Sequence, residues 1–312
     1  MEDKNLFSNG ARLVRRHLRI VVWIFLVNLI LAWFASGPLR TSISPILDHS
    51  MASQRMVDQF DLGTWIELLR EPSVSLRSFG AASLHFSMIF VLYMIFINGG
   101  VLTVYREDRK LTKAEFFEMS GAYFWRIVRL VLISCIPLAI LGAIFSGLSG
   151  WSDTLTSDAA NAHTGFWVLL SGGILLWIAF LFVRAWFDLA QCMTVAQNDR
   201  GMLRNSWRAL KLAVRNGSDL LMAYIGIHVL GIAAMVAVCV AFAYIPHARF
   251  RLSFVVLEIV VAIDIVVRLW QKAACMTWWE GRPAVAAPPV FERGPEPIAA
   301  TPAPVVPKPE QI

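Results

Sequence analysis

Long apolar runs alternate with short charged connectors along most of this chain. Each run has about 19–27 residues, and about 20 apolar residues are enough to cross the ~30 Å hydrocarbon core of a bilayer. The runs mostly lack the polar face that a soluble helix shows at every turn or two. The pattern predicts an all-α polytopic membrane protein with six transmembrane helices, at about 18–36, 80–104, 127–147, 166–190, 219–245 and 252–275.

The segments outside the runs predict the remaining organisation. A cytoplasmic basic segment, 1–17, precedes the membrane domain, 18–280. The loop 37–79 is the only sizeable segment between spans, and its part 51–69 looks helical, as expected for a segment lying on the outer leaflet. The tail, 281–312, is rich in proline and cannot form a core, so we predict a disordered cytoplasmic linker.

Composition and charge support the membrane class and predict its orientation. Hydrophobic residues make up 57% of the chain and charged residues 16%, whereas soluble domains have about 25% charged residues. Most Lys and Arg lie in the N-terminal segment, the 105–129 and 196–215 connectors and the tail, and positive residues stay on the cytoplasmic side. Both termini are therefore predicted inside. The net charge of +6 is predicted to meet anionic lipid headgroups, with no nucleic acid as a partner.

A short sequence repeat occurs at the inner ends of the even-numbered spans. Residues 102–111 match residues 193–202 at a constant offset, with identical Thr, Val, Asp and Arg, and 276–282 is a shorter third version. The three copies share one orientation. They predict three parallel helical hairpins packed side by side, unlike the inverted repeats of many secondary transporters.

The inner connectors are predicted to form short interfacial helices. Thr112 and Glu115 fit a capping box at the start of the first one. In the second, an apolar stripe contains Leu203, Trp207, Leu210 and Val214. A basic stripe beside it has the spacing of an interfacial amphipathic helix. Such a stripe is either a solvated face or an anionic-lipid contact, and the candidate contacts are Arg200, Arg204, Arg208, Lys211 and Arg215.

Charged residues inside the fourth and sixth spans form a second candidate site. Each costs about 2.5–3.5 kcal/mol on insertion scales, and such groups usually face a partner or water. Within each helix an Arg and an Asp lie four residues apart, hence on one face. The predicted polar network contains Arg184, Asp188, Glu258, Asp264 and Arg268. It is either a structural link between the two helices or a proton or ion relay.

No pattern predicts a metal, a cofactor or a catalytic group. The four cysteines lie in or near the apolar runs, without paired spacing, so they are predicted to be packing residues. Scattered residues of the 37–79 loop, namely His49, Asp58 and Asp61, are the only candidates for chemistry, and their spacing supports no site.

Residues 184–216 resemble a known membrane domain. Ser206-Trp207-Arg208-Ala209-Leu210 and then Arg215-Asn216-Gly217 resemble a pattern in the membrane domain attached to some glycerophosphodiester phosphodiesterases and in its stand-alone bacterial relatives. The loose match extends over about 80–282. The catalytic barrel is absent from this sequence, so no hydrolase activity carries over. The resemblance implies a bacterial cytoplasmic (inner) membrane protein.

Three classes of function fit the sequence. The first is a non-enzymatic membrane protein, a scaffold or accessory subunit that organises lipids or partner proteins. The second is a transporter or permease that uses the intramembrane Arg, Asp and Glu residues. The third is a lipid-modifying enzyme, for which no motif is present.

Overall fold

A computed structural model describes residues 6–48, 62–158, 163–244 and 250–282. These residues are almost entirely α-helical and contain no strand, so the all-α prediction is confirmed. The helices of the described part are, in chain order, α1 Leu6–Arg16, α2 Leu18–Ala35, α3 Gly37–Asp48, α4 Leu62–Arg70, α5 Leu76–Glu107, α6 Lys113–Asp158, α7 His163–Gln197, α8 Met202–Asn216, α9 Ser218–Ala243 and α10 Phe250–Glu280.

Five of the described helices are long and apolar enough to cross a membrane, namely α2, α5, α6, α7 and α9. Their length and composition make the chain an integral membrane protein. The sixth predicted span lies in α10. This helix has 31 residues, but Glu258, Asp264 and Arg268 interrupt its apolar sequence, so it does not belong to the five.

The first inner connector differs from its prediction, because no separate interfacial helix forms there. The capping box itself is present: the Glu115 N–H donates to Thr112 Oγ1 at 3.3 Å, and the Thr112 N–H donates to Glu115 Oε2 at 2.8 Å. The helix that it starts, α6, then continues for 46 residues to Asp158. No proline lies between Lys113 and Pro137, so no residue of this type ends α6 before the membrane span. The second connector does form a separate helix, α8.

The predicted outer loop contains two described helices, α3 and α4. Ile43 of α3 packs with Leu68 of α4 and with Val74. The stretch 51–69 was predicted to be helical. Its part from Leu62 is helical, and 49–61 lie outside the described residues. Residues 283–312, which hold almost all of the predicted disordered tail, also lie outside them.

Tight packing is concentrated toward the ends of the helices that meet the 108–112 and 198–201 connectors. The buried residues of α5 lie between 97 and 105, and those of α7 mostly between 181 and 195. In α10 they lie between 265 and 279. The opposite halves expose large apolar side chains, for example Leu84, Met88, Trp167 and Leu175. Apolar surface of this extent suits contact with lipid.

Two close contacts hold the packed end together. A Cβ atom at Gly100 of α5 would lie 2.6 Å from Ser120 Oγ of α6, so glycine permits the approach of these helices. The N-terminal helix α1 packs on α10, where Trp270 Nε1 donates to the Phe7 carbonyl at 2.8 Å and the two rings lie 4.4 Å apart. The first and last described helices therefore lie side by side.

Candidate functional site

Three helices meet at the carboxylate of Asp188, which is 1% exposed. Tyr224 of α9 donates its hydroxyl to Oδ2 at 2.9 Å. From α10, Arg268 Nη1 donates to the same oxygen at 3.2 Å, and Lys272 Nζ donates to Oδ1 at 3.1 Å. A buried carboxylate is tolerated when it is both paired and hydrogen-bonded, and these three donors supply both conditions.

The contacts continue from Lys272 to a fourth helix. Lys272 Nζ also donates to Gln191 Oε1 at 2.8 Å, and Asn98 Nδ2 of α5 donates to the same oxygen at 2.6 Å. All these side chains are buried or partly buried. We call this set the ionic cluster: Asn98, Asp188, Gln191, Tyr224, Arg268 and Lys272. It links α5, α7, α9 and α10.

The structure brings together only part of the predicted polar network. Asp188 and Arg268 form an ion pair. Arg184 has a buried Nε without a hydrogen-bond partner, and no carboxylate of the described residues lies within ion-pair distance of it. Asp264 is exposed and Glu258 is half-buried, and neither makes an ion pair within the described part of the chain.

Sequence reasoning missed four members of the ionic cluster. Lys272 lies four residues after Arg268, the same spacing that singled out Asp264 and Arg268, so this signal was available. Tyr224, Gln191 and Asn98 are uncharged residues inside or beside apolar runs. Their spacing contains nothing that points to Asp188.

A cleft of about 500 Å³ borders the ionic cluster, between α2, α5, α6, α7 and α10. Most of its wall is apolar, including Phe90, Met94 and Phe180. One part of the wall is polar and includes Asn98, Arg184, Gln191, Asp264, Arg268 and Lys272. We call it the central cleft. Three cations and two carboxylates, counting Asp188, lie in or next to it, which leaves one positive charge in excess.

Helix α8 presents three distinct faces. The first packs on the bundle and contains Met202, Asn205, Ser206, Ala209 and Ala213. Asn205 Nδ2 fixes this face to α7 by donating to the Ala190 carbonyl at 3.0 Å and to Thr194 Oγ1 at 2.6 Å. The second face is apolar and points away from the bundle: Leu203 is 75% exposed, Trp207 58% and Val214 67%.

The third face of α8 is basic and is extended by Arg200 in the connector before the helix. The five predicted lipid contacts are all exposed: Arg200, Arg204, Arg208, Lys211 and Arg215. Asp199 lies 3.8 Å from both Arg204 Nη2 and Arg208 Nη1. The Gly201 N–H donates to Asp199 at 3.0 Å, and with the two guanidinium groups it holds the pKa of Asp199 below its usual range. Five cations and one carboxylate leave this face with four positive charges in excess.

The described residues contain no group of three or more His, Cys, Asp and Glu side chains that could hold a metal ion. All four cysteines are free thiols. Cys192 and Cys275 are buried, whereas Cys135 and Cys239 are exposed on α6 and α9. The residues considered for a lipid-modifying site, His49, Asp58 and Asp61, lie outside the described residues.

No family model, curated protein or solved structure matches this chain. The resemblance to the membrane domain of glycerophosphodiester phosphodiesterases therefore stays a prediction from the sequence. The features that bear on function are the exposed faces of α8, the ionic cluster and the central cleft.

Proposed function

We propose that this chain is a non-enzymatic integral membrane protein, a scaffold or accessory subunit that organises anionic lipids or partner proteins. Its place would be a bacterial cytoplasmic membrane, with both termini inside, as in the stand-alone membrane domains that the sequence resembles. The observation that carries the proposal is the pair of exposed faces on α8, one apolar and one basic.

The geometry of α8 fits the boundary between lipid tails and headgroups. Leu203, Trp207 and Val214 are each more than half exposed, and contact with acyl chains would remove this apolar surface from water. The neighbouring basic face would then lie at the level of the phosphates. Each Lys or Arg near an anionic surface contributes about 1 kcal/mol, so four excess positive charges amount to roughly 4 kcal/mol of attraction.

Two further observations, at the ends of α5 and α7, support a repeated hairpin architecture, in which α10 would be the sixth span. Helices α5 and α7 are each followed directly by a residue with positive φ, Asp108 at 44° and Asn198 at 52°, and then by a short connector and a new helix. Near these ends, the Thr103 and Thr194 hydroxyls donate to the carbonyl four residues earlier. The threonines are 91 positions apart and the helix ends 90, so the second copy has one residue fewer between its threonine and the end of the helix.

Lipid analysis of the purified protein tests the proposal. Wild type extracted in mild detergent should retain anionic lipids selectively, and the variant Arg204→Glu/Arg208→Glu/Lys211→Glu should lose that selectivity. A charge-matched control reverses three exposed basic residues at the other side of the membrane: Arg40, Arg70 and Arg77. This control should retain the lipids. Unchanged lipid content in the α8 variant would refute the lipid arm of the proposal, namely that α8 organises anionic lipids. Proteomics on the same eluate would reveal a stoichiometric protein partner.

A transporter or permease is the second candidate, favoured by the central cleft. Its polar wall lies beside apolar walls and has an excess positive charge, and Arg184 Nε has no hydrogen-bond partner among the described residues. Such a site suits an anion that enters from the bilayer or through the bundle. Uptake of an anionic substrate into proteoliposomes, lost on Arg184→Gln or Asp264→Asn, would promote this candidate over the first.

A further inference from the structure

A second groove lies between α2 and the start of α6, away from α8 and beside the central cleft, with which it shares Ile24. It has a volume of about 340 Å³, and α5 forms its floor. Its walls are apolar, with Ile20 and Trp23 from α2, Ile97 from α5 and Phe116 and Phe117 from α6. We call it the α2–α6 groove.

One end of the α2–α6 groove is strongly basic. Arg19 of α2, Lys110 of the connector and Lys113 of α6 line it and are exposed. Three separate elements thus place positive charges around one opening. We call these residues the basic rim.

The carboxylates near the basic rim pair with other cations. Asp108 pairs with Arg16, while Glu107 and Glu115 pair with Arg109. Within the described part of the chain, no carboxylate lies within ion-pair distance of any rim residue. The rim therefore has three positive charges for which the described residues supply no counter-charge.

Local features at the rim indicate an anion. Lys113 is the first residue of α6, at the positive end of the helix dipole. The one acidic residue of this first turn, Glu115, pairs with Arg109. His17 also lines the groove and is 6% exposed. Its Nε2 lies 3.5 Å from Asp108 Oδ1 but forms no hydrogen bond among the described residues.

The length of the groove favours a lipid over a soluble anion. It extends from Lys110 in the connector to Tyr93 of α5. Tyr93 lies 14 residues before the end of α5 at Glu107, which is about 21 Å at 1.5 Å per residue. One leaflet spans about half of the ~30 Å hydrocarbon core. An apolar groove of this length accommodates an acyl chain, and its exposed edges, Trp23 and Phe117, suit contact with neighbouring chains.

We propose that the α2–α6 groove binds one anionic glycerophospholipid. Its phosphate lies among Arg19, Lys110 and Lys113, and one acyl chain follows the apolar walls toward Tyr93. Basic pockets between membrane helices on the cytoplasmic side bind such headgroups. The proposal rests on the proposed function in one respect, that the 108–112 connector faces the inner leaflet. It adds a single defined site to the diffuse contacts of α8.

The experiment compares the full-length wild type with Lys110→Glu/Lys113→Glu and with the milder Lys110→Gln/Lys113→Gln. The probes are phosphatidylglycerol, phosphatidylcholine and inorganic phosphate, added to delipidated protein in detergent. Native mass spectrometry counts the bound lipids, and thermal unfolding reports their effect. Wild type should bind one phosphatidylglycerol more tightly than any further copy and melt at a higher temperature with it, but not with the other two probes. Both variants should bind phosphatidylglycerol at least tenfold more weakly.

Retention of phosphatidylglycerol with unchanged affinity in both variants would overturn the inference. An equal thermal shift with inorganic phosphate would also overturn it, because it would indicate a soluble-anion site. The triple α8 variant described above distinguishes this inference from the proposed function, since its groove is intact. It should still bind one phosphatidylglycerol. If it does so and keeps all other anionic lipids as well, the lipid arm of the proposed function fails while the groove site stands.

Discussion

Replacing Asp188 with asparagine keeps the shape of the side chain and removes the charge that Arg268 and Lys272 share. The carboxylate accepts from Lys272 Nζ at 3.1 Å, from Arg268 Nη1 at 3.2 Å and from the Tyr224 hydroxyl at 2.9 Å. An amide offers one oxygen for these three donors, and its NH₂ group would face a donor. Because Lys272 is 4% exposed, water cannot replace the lost partner.

The expected loss of stability is large. Removing one member of a buried ion pair costs about 3–5 kcal/mol, since it leaves an uncompensated buried charge. The Arg268 side chain is 31% exposed and can turn toward the central cleft, so most of the cost falls on Lys272. The double variant Asp188→Asn/Lys272→Gln removes this stranded charge. Its loss should be smaller than the sum of the two single losses by about 0.5–3 kcal/mol.

Thermal unfolding in mild detergent measures these differences. A loss of 3–5 kcal/mol corresponds to a decrease in Tm of roughly 6–20 °C for a protein of this size class. The matched control is Asp264→Asn, which removes a carboxylate without an ion pair among the described residues and should change stability by about 0.5 kcal/mol or less. Equal losses for Asp188→Asn and Asp264→Asn, or strict additivity in the double variant, would refute the reasoning.

Three other predictions concern local contacts. Gly100→Ala should lose about 1–3 kcal/mol through overpacking against α6. The control is Gly121→Ala, whose Cβ would meet no atom within 4 Å. It should gain up to about 1 kcal/mol in helix propensity. A higher melting temperature for Gly100→Ala than for Gly121→Ala would contradict the packing. Asp199→Asn should lower Tm at pH 7. Because the folded-state pKa of this carboxyl is lowered, its stabilising effect is complete above its unfolded pKa of about 4 and is lost as pH falls from there through the folded-state pKa. A Tm difference as large at pH 3 as at pH 7 would argue against this role. Trp270→Phe removes the hydrogen bond to the Phe7 carbonyl, worth about 0.5–1.5 kcal/mol, and amide hydrogen exchange in α1 should become faster while that in α9 stays constant.

The packing of the bundle bears on the two interpretations of the intramembrane charges. Asp188 and Lys272 lie where burial is greatest, and the contacts of the ionic cluster join four helices. This arrangement suits a structural link. Arg184 and Asp264 line the central cleft instead, without ion pairs among the described residues. A functional role for intramembrane charge would therefore depend on these two residues, which is why the uptake experiment replaces them.

Local patterns in the sequence determined the helical class, the membrane-spanning runs and the start of α6. The capping box at Thr112 and Glu115 forms as predicted because both partners lie within one turn. The faces of α8 also follow from spacing alone, since 3.6 residues per turn place Leu203 and Trp207 on one side whatever the helix packs against. The prediction of a short separate helix in the first connector was wrong. Helix α6 continues for 46 residues instead, because no proline ends it after its first turns.

Tertiary structure alone decided which polar groups meet. Asp188 and Lys272 are 84 positions apart, and Asn98 and Gln191 are 93 apart. Their contact depends on the rotation and axial register of the packed helices. Spacing within one helix shows which residues share a face, but it contains no information on which face of a distant helix lies opposite. The ionic cluster and the two clefts therefore appear only when the helices are packed.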